Sequence, residues 1–391
     1  MMKENFKLIA TAAAGIEALV GRELRDLGID CRVENGRAYF NGDMRTIAKT
    51  NLWLRCADRV KIIVGEFEAK TFEELFQGVF TLDWDNYLPL DAAFPVAGKS
   101  VRSTLYAVSD VQAITKKAIA KRLQEIYHRP ENVPLPETGA LYQLEVSILK
   151  DKVTVTLDTT GDSLFKRGYR VSKGGAPIKE NMAAAIIMLT NWYPDKPFYD
   201  PTCGSGTFCI EAALKGMNIA PGFNREFACE AWDWFNSESF DEVRDEAEGL
   251  ANYDVKLDIL GCDIDGRMIE VAKHNAEEAG LSDVITFKQM RLEDFTTTKE
   301  NGVIVSNPPY GDRLLTEEEV TKIYQAMGKV YRPLSTWSKY ILTSDLNFEK
   351  KYGERATKKR KLYNGALRVD LYQYWGKRAK KSEKSLINAE K

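Results

Sequence analysis

The chain has 391 residues, room for two or three domains. Hydrophobic residues make up 44% and charged residues 29%, so full-sized cores can form. Lys+Arg 55 against Asp+Glu 57 excludes a uniformly basic nucleic-acid coat, though not local basic patches, and two separated histidines, His128 and His274, argue against a metal centre or a histidine-based triad.

Residues 8–20 (LIATAAAGIEALV) form the most apolar early stretch. Glu17, Arg22, Glu23 and Arg25 break it, so it reads as strand, turn and amphipathic helix rather than a signal peptide. No run approaches the ~20 apolar residues of a membrane helix. Six cysteines without a CxxC pair read as reduced thiols, so the cytoplasm is the expected compartment.

Apolar spacing predicts strands at 6–10 and 38–40, helices at 16–27 and 44–54, and a β-rich stretch at 60–67. A helix at 71–79, a strand at 93–96 and a long amphipathic helix at 111–127 follow, then a hairpin of strands 142–149 and 152–158 turning at Lys150 and Asp151. From about residue 179 helices and strands alternate, the pattern of a doubly wound α/β domain. Helices are expected at 180–192, 205–215, 266–279 and 317–331, and strands at 198–200, 257–263, 285–289, 302–306, 339–343 and 367–375. An acidic insertion, 217–256, carries Trp232, Trp234 and Phe235 and reads as a helical lobe packed through those rings. The expected domains are 1–65, 66–160 and 161–376, with a disordered tail at 377–391.

Three strand ends carry the chemistry. After strand 198–200 come Asp200, Pro201, Thr202, Cys203, Gly204, Ser205, Gly206 and Thr207, a turn of small residues running into a helix. Such a turn lets backbone approach a ligand closely, and the helix start presents free N–H groups. The next strand ends on Asp263 and Ile264, where an acidic side chain suits ribose hydroxyls; Asp265 suits the helix cap. Asp263 lies 59 residues beyond Gly204, and removing the 40-residue insertion brings the spacing near the ~20 of a compact nucleotide unit. Asn307, Pro308, Pro309 and Tyr310 follow strand 302–306. The prolines stiffen the loop. The Asn307 side-chain oxygen and the Pro308 carbonyl can accept from one planar –NH2, and Tyr310 offers a face for a base.

These motifs together resemble class I S-adenosylmethionine-dependent methyltransferases of the amino-methylating branch. Phe165, Lys166, Arg167, Gly168, Tyr169 and Arg170, followed by Ala176, Pro177, Ile178, Lys179, Glu180 and Asn181, resemble the lead-in of bacterial 23S ribosomal RNA guanine-N2 methyltransferases that carry a THUMP domain. So do Asn307, Pro308, Pro309, Tyr310, Gly311, Asp312, Arg313 and Leu314. The resemblance spans nearly the whole chain except the acidic lobe and the tail. It implies an α/β fold: a Rossmann-like seven-stranded sheet with an antiparallel last strand, preceded by an α+β ferredoxin-like and THUMP module. It also implies S-adenosylmethionine as cofactor and RNA as partner. Asp200, Thr202, Gly204, Gly206, Asp263 and Ile264 would then bind the cofactor, with Asp294 meeting its adenine amino group from a stretch whose register spans three residues. Asn307, Pro308, Pro309 and Tyr310 would hold the target amine.

Methylating an exocyclic amine at an activated sulfonium carbon depends mostly on positioning, which agrees with the scarcity of histidine. For RNA contact, residues 96–135 carry a local excess of +4, with Lys117, Lys121 and Arg122 on the long helix; the run 355–361 is a second basic candidate. Guanine-N2 and adenine-N6 both present a conjugated –NH2, so the Asn-Pro-Pro-Tyr loop does not separate them. A protein-glutamine methyltransferase and a non-catalytic RNA-binding assembly factor are the other readings.

Overall fold

The computed structural model describes residues 5–130, 132–170, 178–309, 316–365 and 367–377. It divides into two units. The first holds the chain up to Ala12, Glu17–Phe165 and Pro221–Gly249; the second holds Ala13–Ile16, Lys166–Ala220 and the chain from Leu250.

The first unit is built on a seven-stranded sheet of order β2-β3-β1-β4-β7-β6-β5. Its elements are β1 (Phe6–Thr11), α1 (Glu17–Asp26), β2 (Cys31–Glu34), β3 (Arg37–Gly42), α2 (Met44–Trp53), β4 (Arg59–Glu68), α3 (Phe72–Phe80), β5 (Val96–Val101), α4 (Val108–Ile126), β6 (Leu144–Leu149) and β7 (Lys152–Asp158). Local chemistry starts the helices. Asp43 accepts from the Thr46 N–H at the head of α2, and Thr71 with Glu74 makes a reciprocal cap on α3. Two expectations shift. Ala93 makes only an isolated bridge to Leu141, and the strand expected at 93–96 instead runs Val96–Val101, beyond Pro95, which has no N–H to give a ladder. Strand β2 was not expected: Cys-Arg-Val-Glu is a short, half-exposed edge with little apolar signal.

The second unit contains α5 (Glu180–Leu189), β8 (Phe198–Asp200) and α6 (Thr207–Gly216). The next helix in the chain, α7 (Glu238–Leu250), groups with the first unit almost throughout. Then come β9 (Ile259–Asp263), α8 (Gly266–Glu278), β10 (Ile285–Gln289), β11 (Val303–Ser306), α9 (Glu317–Tyr331), β12 (Ser338–Thr343), α10 (Phe348–Tyr352), β13 (Lys358–Asn364) and β14 (Leu367–Tyr374). Their sheet has seven strands, ordered β10-β9-β8-β11-β12-β14-β13. The first five pair in parallel, and β14 is antiparallel to both β12 and β13. The basic run read as a candidate RNA contact is largely strand β13, an edge whose lysines discourage pairing with another chain. The expected tail lies outside the described residues except for Lys377, whose N–H donates to Ser335 O.

The acidic lobe packs through its rings, and it does so within the first unit. Trp232 stacks on Tyr142 at 4.9 Å and donates to Leu141 O; Trp234 donates to Tyr87 O. Glu242 and Glu246 of α7 pair with Arg45 of α2 in the open, where such pairs contribute little.

Candidate active site

Strand β8 is the pivot of the second sheet. The chain passes from β8 to β9 and β10 on one side, then crosses to β11 on the other. The crevice at such a reversal, beyond the carboxyl ends of the strands, is where open α/β sheets bind ligands. Asp200, Asp263 and Asn307 stand at the ends of the three adjacent strands there.

The turn after β8 is locked to its neighbours. The Cys203 N–H donates to Cys262 O at 2.7 Å, and the Gly204 N–H donates to Asp263 Oδ2 at 2.9 Å. Asp263 also accepts the Asp265 N–H on Oδ1 at 2.9 Å, so its carboxylate ties the two strand ends together and still has lone pairs for further donors. Asp265 caps α8 by accepting the Arg267 N–H. Gly206 has φ +81°, and a Cβ there would meet Phe287 Cζ at 2.9 Å and Ala272 Cβ at 3.0 Å. Gly204, at φ +52°, faces open space, so the backbone there is open to a ligand.

Asp200 is buried and accepts from the Thr202 N–H at 3.1 Å and, at 3.4 Å, from the Thr202 hydroxyl. Burial, assisted by the charge of Asp263, pushes its carboxyl up to about 8. A cationic ligand group would reverse that push. Ile264, directly after Asp263, is 62% exposed, an apolar side chain that a flat heterocycle would cover. Asp294 is exposed in a short turn, Leu292–Asp294, beside the buried Phe295.

Strand β11 is wholly buried and delivers Asn307. The Asn307 Oδ1 is screened from solvent and has no hydrogen-bond partner among the described residues. A buried acceptor left unpaired costs about 1–3 kcal/mol, so this atom is set up for a donor that arrives with a ligand. Pro308 is buried and Pro309 half-buried. Tyr310 lies outside the described residues. Below the loop the Ser306 and Tyr331 hydroxyls meet at 3.1 Å.

The roles of the lead-in residues were not legible in the sequence. Arg170 donates to Glu180 Oε1 at 2.6 Å, Ser205 Oγ at 3.2 Å, Thr207 Oγ1 at 2.9 Å and Ile178 O at 3.3 Å. It therefore fastens the lead-in to the glycine turn. Behind it Arg167 and Tyr169 both reach Glu211, all three buried. Glu211 is the one signal that could have exposed this: an acid inside the apolar run of α6 demands a buried partner.

On the first unit Lys117 and Lys121 of α4 are exposed one turn apart. Arg122 faces elsewhere, paired with Glu125 at 3.5 Å and lying over the Phe80 ring. Among the described residues no three His, Cys, Asp or Glu side chains group to hold a metal ion, and no helix is long and apolar enough to cross a membrane.

The RMKL-like methyltransferase domain matches residues 167–373, the strand ends and lead-in just described. The chain belongs to this methyltransferase family. The RlmL ferredoxin-like domain matches 7–61 and the THUMP domain 69–158. YpsC of Bacillus subtilis (strain 168), named as an RNA methyltransferase, is 55% identical over 374 residues, 96% of this chain and 97% of that protein. The ribosomal RNA large subunit methyltransferase K/L of Syntrophotalea carbinolica is 33% identical over 390 residues, covering 95% of this chain and 54% of that protein. The crystal structure of SMU.472, named as a methyltransferase and complexed with SAH, is 63% identical with a TM-score of 0.92, covering 97% of this chain and 100% of that one.

Proposed function

We propose that this methyltransferase transfers a methyl group from S-adenosylmethionine to the exocyclic N2 amine of a guanine in 23S ribosomal RNA, in the cytoplasm. The observation that carries the reading is the buried Asn307 Oδ1, without a partner among the described residues, at the strand-order reversal whose neighbouring strand ends carry Asp200 and Asp263. The cofactor supplies a methyl group already activated by its sulfonium. Asp263 binds the ribose hydroxyls, Ile264 covers the adenine, and Asp294 takes its amino group. Asp200 and Thr202 brace the turn through Gly204 and Gly206, and Asp200 offers a negative charge to the cofactor's cationic end. Asn307 Oδ1 accepts one hydrogen of the target –NH2 and the Pro308 carbonyl accepts the other. This draws the amine from planarity and frees its lone pair. Pro309 holds the loop stiff, and Tyr310 stacks on the base.

The THUMP match and the RNA methyltransferase relative support an RNA substrate, and the K/L relative supports ribosomal RNA. Lys117 and Lys121 supply phosphate contacts, with Arg122 contributing once freed from Glu125. Mass spectrometry of nucleosides from total RNA, with and without the gene, tests the reading. Loss of N2-methylguanosine from 23S RNA is expected. Loss of N6-methyladenosine instead would move the target to adenine, and unchanged RNA would overturn the proposal.

A further inference from the structure

We infer that the tip joining the ends of β5 and β6 is a contact for unpaired nucleotides of the substrate RNA, with Tyr106 stacking on a base and Arg102 and Lys150 meeting phosphates. The inference rests on the RNA reading above and gives the first unit a site distinct from α4.

Strands β5 and β6 run parallel and end together, Val101 opposite Leu149. Beyond them the chain is held by a dense set of bonds. The Lys150 N–H donates to Val101 O, the Thr104 N–H to Asp151 Oδ1 at 2.6 Å, and the Asp151 N–H to Ser103 Oγ. Ser100 Oγ donates to Leu105 O at 2.6 Å, and Ser103 Oγ to Val101 O at 3.0 Å. The tip is therefore a preformed shape.

What it presents is unusual for a free surface. Tyr106 is 82% exposed, with Val101 at 53% and Leu149 at 47%. Arg102 and Lys150 are exposed, and neither has an ion pair among the described residues. Among the described residues, three of the seven non-glycine residues with positive φ are here: Arg102 at +52°, Lys150 at +52° and Asp151 at +64°. A two-residue hairpin turn with both φ values positive favours Asn-Gly, so a basic side chain is strained there. Asp151 is explained by its bond to Thr104. Among the described residues, no hydrogen bond or ion pair uses the Arg102 and Lys150 side chains. Strained residues held in place by their surroundings cluster at functional sites. An exposed ring and two cations without an ion pair among the described residues, carried on segments that these bonds tie together, are the chemistry that holds single-stranded nucleic acid, by stacking and by phosphate contact.

The test uses the full chain and a protein-free 23S ribosomal RNA transcript, with a fully paired RNA duplex as comparison. Tyr106→Ala should weaken binding to the transcript roughly ten-fold and leave duplex binding unchanged. Arg102→Gly with Lys150→Asn should also weaken it, and should lower the log–log salt slope by roughly 1.4, at ~0.7 per single-stranded phosphate contact. The same pair should raise the thermal midpoint by about 1–3 °C, because both replacements relieve a left-handed residue. Opposite signs in affinity and stability separate a contact role from damage to the fold. Variants that bind the transcript as the wild type does, with an unchanged slope, overturn the proposal and leave the tip as a surface for a protein. A wild type that ignores the transcript overturns the RNA reading, and this site with it.

Discussion

Asp200→Asn is the most informative single change. The Asp200 carboxyl rises from 3.8 to about 8 on folding because it is buried beside Asp263. Between those values the unfolded chain has lost the proton that the folded protein keeps. The stability this group contributes is therefore fully present below pH 3.8 and is lost as pH rises through about 8. At ~1.36 kcal/mol per pKa unit, the span is on the order of 5 kcal/mol. Asparagine keeps an oxygen for the Thr202 N–H and cannot ionise. Thermal melts from pH 5 to pH 9 should show the wild type losing stability relative to the variant up to about pH 8 and levelling beyond it. Calorimetry with SAH reads the other half. A cationic group on the ligand favours ionised Asp200, so wild-type affinity should climb with pH up to about 8 relative to the variant. The variant should bind SAH more weakly throughout. Wild type and variant with parallel pH profiles, in melts and in affinity, would refute both the buried titration and the charge role of Asp200.

Asn307→Ala should abolish methyl transfer and leave SAH affinity nearly unchanged, because Oδ1 has no partner among the described residues and is kept for the target amine in the proposed function; wild-type turnover would show the amine is held elsewhere. Asp263→Ala should weaken SAH binding by about 1.5–3 kcal/mol through the lost charge-assisted bonds. It should also lower the melting point, since the same carboxylate holds the Gly204 and Asp265 N–H groups. Glu211→Gln should destabilise the fold by about 3 kcal/mol in denaturant titrations by leaving the Arg167 charge poorly balanced in the core. Replacing Arg167 with Met and Glu211 with Leu together should recover most of that loss, and a single variant as stable as the wild type would sink this account.

Sequence pattern reaches furthest where one physical signal dominates. Helix α9, with its Thr316 and Glu319 cap and amphipathic spacing, spans the residues that periodicity picks out, as do β8 and β10. The edge strands β2 and β13 escape it because edges are kept polar on purpose, and a run such as Lys358, Lys359, Arg360 and Lys361 looks like a solvated face. The site divides the same way. Glycines that must take positive φ, and prolines that must end a strand, announce Gly204, Gly206 and Pro308 from local chemistry. That Arg170 reaches Ser205 and Thr207, or that Trp232 stacks on Tyr142, depends on contacts between residues 35 or more positions apart, which no local spacing encodes.

The lead-in is where those long-range contacts matter most. Burying Arg167 against Glu211 and Glu180 against Arg170 is an expensive way to hold two segments together, since removing ions from water costs several kcal/mol each. Leucines would be cheaper, but apolar contacts tolerate sliding. Charge-assisted bonds from one planar guanidinium do not. Arg170 spends its donors on Glu180, Ile178 O, Ser205 and Thr207, so the lead-in, the start of α5 and the glycine turn share one register. In the proposed function the turn presents Gly204 to the cofactor and leaves room beside Asn307 for an amine; such a turn gains from that fixed placement, because misplacement by about 1 Å already slows a positioned reaction by roughly a hundred-fold.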